Sequence, residues 1–153
     1  MLGKKFSDFL TKYFDAFESL FIIFLSVSLL LLVNTVKYSQ FCVYFSLIAL
    51  SLLYYLMAVR PFEKKVAGIR IVIRRVVYIA YLLSCLSILS SLRFDYSVDP
   101  KPLIIASIVF LGISVVLLLI KRFKMQEPKK TLAHIFRCII FAVILVWLRL
   151  MFN

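Results

Sequence analysis

Apolar stretches of about twenty residues alternate along the chain with short basic ones. The apolar blocks fall at about 17–36, 40–59, 72–92, 103–120 and 132–152. At a rise of about 1.5 Å per residue, a helix of roughly twenty residues crosses the ~30 Å hydrocarbon layer of a bilayer. The pattern therefore predicts an all-α integral membrane protein of four or five antiparallel transmembrane helices. The number turns on the last block, TLAHIFRCIIFAVILVWLRLMFN, where only 11 uncharged residues separate Arg137 from Arg149. Spanning usually takes about 17 or more. Arginine can snorkel to the headgroups, and His134 and Trp147 are ordinary interfacial residues. A fifth span is thus preferred to a helix lying on the cytoplasmic surface.

Ahead of the first span the period changes character. Leu2, Phe6, Phe9, Leu10, Tyr13 and Phe14 recur at spacings of three and four, with Lys4, Lys5, Asp8, Thr11, Lys12 and Asp15 on the other face. This predicts an amphipathic helix in the cytoplasmic interface. The domain organisation is then residues 1–16 as an interfacial helix and 17–153 as one transmembrane domain. Its acids, and the lack of a small-residue cleavage site, set this leader apart from a secretory signal. The connectors are short: Lys37, Tyr38 and Ser39 make a tight hairpin, Pro61 stops the second span, and Gly68 is expected to loosen the segment after it.

Composition agrees. The hydrophobic fraction is 64%, against about 45–50% in soluble domains, which excludes an ordinary soluble fold. The 19 Lys and Arg against 7 Asp and Glu would in a soluble chain suggest nucleic acid. Here they stand at the ends of apolar blocks, where they orient helices and meet anionic headgroups, so no nucleic-acid partner is expected. With five spans, one side receives Lys4, Lys5, Lys12, Arg60, Lys64, Lys65, Arg70, Arg74, Arg75, Lys121, Arg122, Lys124, Lys129, Lys130 and Arg137. The other receives only Lys37, Arg93, Lys101 and Arg149. The positive-inside rule places the N-terminus in the cytoplasm. Short loops suggest a prokaryotic inner (plasma) membrane.

Candidate chemistry is sparse. There is one histidine, and no HExxH, G-x-S-x-G or phosphate-binding loop. No catalytic residue, cofactor or metal site is expected. Cys42, Cys85 and Cys138 are scattered and read as helix-packing fillers. Asp95 and Asp99 are four apart in the loop RFDYSVDPKP; two prolines make a solvated turn the commoner meaning of such a pair. Ser84, Ser87 and Ser91 form one stripe of the third span, flanked by Ser90, and Gly112 lies among Ala106, Ser107 and Ser114 of the fourth. Such residues serve close helix packing more often than a polar path through the bilayer. Arg70, Arg74 and Arg75 stop at the end of the third span, unlike the deep arginines of a voltage sensor. Together with Lys64, Lys65, Lys121 and Arg122 they are candidate headgroup contacts. Glu18 and Arg137, each about one turn inside a span, are a candidate intramembrane ion pair, set against independent snorkelling.

The function expected from these features is that of a small non-enzymatic membrane subunit or scaffold. Its partners would be the bilayer, anionic headgroups and other membrane proteins or a second copy of itself. The alternatives are an oligomeric transporter or pore for ions or small solutes, and a lipid-modifying membrane enzyme.

Overall fold

The computed structural model describes residues 2–34, 37–60, 68–92, 99–125 and 128–151. It contains five α-helices: α1 Leu2–Val33, α2 Ser39–Val59, α3 Gly68–Ser91, α4 Lys101–Met125 and α5 Pro128–Met151. Each contains a stretch long and apolar enough to cross a membrane, including Thr131–Leu150 of α5. The chain forms two compact units, one through Leu53 and one from Tyr54.

In the first unit, α1 is one uninterrupted helix of 32 residues. The boundary expected near residue 16 is no break, because no glycine or proline falls between Lys4 and Val33. The amphipathic segment is helical and continuous with the span. At about 1.5 Å per residue α1 is roughly 48 Å long, well beyond the ~30 Å of hydrocarbon; its apolar window is Lys12–Leu31. Phe14, Glu18 and Ser28 are buried and Phe21 and Leu25 half-buried, a stripe at alternating spacings of four and three. The aromatic face expected over 2–15 is divided: Phe14 turns inward, while Phe9 and Tyr13 stay exposed with their rings 4.8 Å apart. Phe45 of α2 meets Phe21 and Phe24 edge-on, at 6.5 and 6.4 Å. In the turn before α2, Tyr38 adopts φ 68°, a left-handed conformation that is uncommon for a residue with a Cβ.

In the second unit, α3 is central. It buries Ile73, Val77, Tyr78, Ala80, Tyr81, Ser84, Cys85, Ser87, Ile88 and Ser91, more than one stripe: besides packing against α4 and α5 it meets Tyr54 and Met57 at the end of α2. Those two each bury a single seam: Ile104, Ser107, Leu111, Ser114 and Leu118 on α4, and Thr131, Ile135, Cys138, Leu145 and Leu148 on α5. Spacings of three and four along one side are the signature of near-parallel helix packing. The remaining faces carry large apolar residues, among them Val109, Val116, Ile140 and Val143. A surface this apolar has lipid as its solvent.

Helix α4 shows how the polar loop before it is used. Ile104 N–H donates to Pro100 O at 3.0 Å, so the helix starts there. Lys101 N–H donates to Asp99 Oδ1 at 3.0 Å. Pro102 has no N–H to satisfy, and a carboxylate at a helix N-terminus also meets the positive end of the dipole. Asp99 is thus a capping residue. Asp95, its expected companion, lies outside the described residues.

Candidate functional site

Two polar clusters stand out in the second unit, at different heights on α3. The first is the serine stripe. Ser84, Ser87 and Ser91 are all buried, as expected of one face. Ser87 Oγ lies 2.6 Å from Ser107 Oγ of α4 and 3.1 Å from Leu103 O. A hydroxyl has one proton, and the carbonyls within reach, Leu83 O at 2.8 Å and Leu103 O, leave each hydroxyl an acceptor. Ser90 and Ser91 both donate to Ser87 O. Through Ser87 the stripe meets α4 at close range. Gly112 takes no part: it is exposed, and a Cβ added there would meet nothing within 4 Å.

The second cluster surrounds Tyr81, which is fully buried. Its hydroxyl donates to the carbonyl of His134 on α5 at 2.9 Å. That uses its only proton, so the 3.3 Å approach to His134 Nδ1 requires Nδ1 to carry a proton and donate back to the phenol oxygen. Cys138, one turn further along α5, donates its thiol to the same oxygen at 3.8 Å. Around this centre, Tyr54 lies 5.2 Å and Phe141 5.6 Å from the Tyr81 ring, and Tyr78 meets the His134 ring edge-on at 6.1 Å.

This second cluster was not legible in the sequence. His134 reads there as an interfacial residue and Cys138 as a filler, while Tyr78 and Tyr81 go unremarked. The only signal is that Tyr78 and Tyr81 share a face of α3, and His134 and Cys138 a face of α5. Chemically the cluster is a latch. The phenol oxygen gives one hydrogen bond and receives two.

The remaining expected site residues are spread over both units. Glu18 is enclosed on α1, in the first unit, and Arg137 is half-buried on α5, in the second. Cys42 is half-buried and Cys85 and Cys138 are buried, all three as free thiols. Arg70, Arg75 and Arg122 are exposed, while Arg74 and Lys121 are half-buried. Lys64 and Lys65 lie outside the described residues. Among the described residues no three His, Cys, Asp or Glu side chains gather as metal ligands would.

These features define an all-helical protein, with five helices among the described residues long and apolar enough to cross a membrane. No protein-family model, curated protein or solved structure matches it.

Proposed function

We propose that the chain is a non-enzymatic subunit or scaffold of a prokaryotic inner membrane. It acts by presenting helix faces to other membrane proteins or lipids, with its N-terminus in the cytoplasm. The observation that supports this reading is the use made of the polar groups in the second unit. Ser87 of α3, Ser107 of α4 and the Tyr81 hydroxyl are taken up in holding helices together, and Ser84, Ser90, Ser91 and Ser114 bond carbonyls of their own helix. A polar path would instead turn such groups toward a water-filled lumen. The test is purification in mild detergent, with the co-purifying components identified, followed by flux measurements in proteoliposomes. The expected result is a defined assembly, with itself or with a membrane protein, and no flux. A lone monomer, or selective flux of an ion or small solute, overturns the reading.

Orientation has its own test. A reporter active only in the cytoplasm should work when fused after Lys65 or after Lys130, and fail after Ser97. Activity at Ser97 would reverse the assignment. A fusion at Asn153 should be inactive if α5 crosses.

A further inference from the structure

The start of α3 and the end of α4 form a cationic rim. Ser87, near the end of α3, sits against Leu103 and Ser107, near the start of α4, and the two helices pack on each other, so they run antiparallel about that contact. Following the register away from it brings Arg74 level with Leu118 and Arg70 level with Arg122, roughly 20–25 Å along the axis. Arg70, Arg74, Arg75, Lys121 and Arg122 therefore share one end of the second unit. The only described carboxylate in that unit, Asp99, caps α4 at the opposite end. The adjoining chain segments do not offset this charge: 60–67 and 124–130 each carry more basic than acidic residues.

Arg74 distinguishes this rim from a merely topogenic cluster. Its guanidinium lies 5.6 Å from the Tyr78 ring centroid, and its Nη2 donates to the sulfur of Met57 at 3.9 Å. It is half-buried beside the apolar wall of the bundle, where a freely snorkelling arginine would be extended into water. The arrangement sets a planar, always-charged donor at the junction of an apolar helix surface and four further cations. That junction has the chemistry of an anionic phospholipid: acyl chains along exposed apolar residues such as Ile69 and Val72 of α3, and a phosphate at the guanidinium.

We propose that this rim is a discrete binding site for one phosphate-bearing anionic phospholipid, with Arg74 as its positioned anchor. The inference rests on the proposed scaffold reading only in taking lipid as a partner. The assembly and flux measurements can fail without touching it.

The test is native mass spectrometry of the purified chain, titrated with phosphatidylglycerol or with phosphatidylcholine. One phosphatidylglycerol per chain should be retained and phosphatidylcholine should not. Arg70→Gln with Arg122→Gln, both at exposed positions, should weaken retention roughly thirtyfold. Lys37→Gln with Arg149→Gln, an equal change of charge elsewhere, should leave it unchanged. Arg74→Gln should abolish the one-to-one adduct; thermal melting shows whether that variant is folded, and if it is not, the Arg70 and Arg122 pair carries the test. Equal retention of both lipids overturns the proposal. Equal loss in the control pair does so too, since it would mean only a bulk field. Displacement by millimolar inorganic phosphate would identify a free anion as the ligand and overturn it as well.

Discussion

Tyr81→Ala is expected to cost the second unit about 3 kcal/mol, the lower end of what aromatic-to-alanine changes cost in packed cores. The lower end applies because lipid is as apolar as the interior, so little transfer free energy is lost. What is lost is contact: Tyr81 is fully buried against Tyr54, Tyr78, His134 and Phe141, and a void forfeits their dispersion attraction. Tyr81→Phe keeps the ring and removes only the hydroxyl. Its cost should be about 0.6–1.7 kcal/mol, from the average to the largest value for hydrogen bonds between membrane helices. Reversible unfolding in mixed micelles measures both. If phenylalanine proves as damaging as alanine, the latch is chiefly polar. A loss below about 0.5 kcal/mol for both would mean that Tyr81 does not tie α3 to α5.

Ser87→Leu should be nearly as damaging, for the opposite reason. The site is closed, with Ser107 Oγ at 2.6 Å and Leu103 O at 3.1 Å, and three added carbons have nowhere to go. Overpacking costs about 1–3 kcal/mol, and the lost contact with Ser107 adds to it. Ser87→Ala should cost well under half as much, since it fits. Gly112→Leu is the natural comparison, because its side chain would project into open space. It should leave the isolated chain's stability unchanged within about 0.5 kcal/mol. A stable Ser87→Leu variant would show that α3 and α4 can separate at this point without penalty. A destabilised Gly112→Leu variant would show that its face is covered in the folded assembly.

The positions of the helices were legible because lipid selects for apolar length, and every apolar block became a helix. Their ends were less legible. Hydropathy marks the part of a helix that lipid surrounds, whereas the backbone helix continues past it. Thus α3 begins at Gly68 and not near residue 72, carrying Arg70, Arg74 and Arg75 on its first turns, and α4 continues to Met125. The inward faces were legible only where polarity betrayed them, as at Ser84, Ser87 and Ser91. Elsewhere an inward leucine such as Leu111 and an outward valine such as Val109 look alike, since both environments are oily. Gly112 shows the same limit from the other side. A missing side chain permits close approach, but only the presence of a partner decides whether it occurs. The Tyr81 latch joins residues more than fifty positions apart, and no local period records such a pairing.

The serine hydroxyls also bear on how the chain enters the bilayer. Ser26 and Ser28 donate to Ile22 O and Phe24 O, Ser46 to Cys42 O, Ser84 to Ala80 O, and Ser114 to Phe110 O, each one turn back on its own helix at 2.7–2.8 Å. Such a bond exists as soon as the helix does and needs no neighbour. Each of these segments can therefore leave the insertion machinery for lipid with these hydroxyls already quenched, before any other segment arrives. Folding of this chain divides naturally into independent threading of the helices and a later lateral condensation. The contacts of Ser87 with Ser107 and of Tyr81 with His134 belong to that second stage, since each needs two helices. The first joins consecutive helices. The second has to wait for α5, which emerges after both α3 and α4.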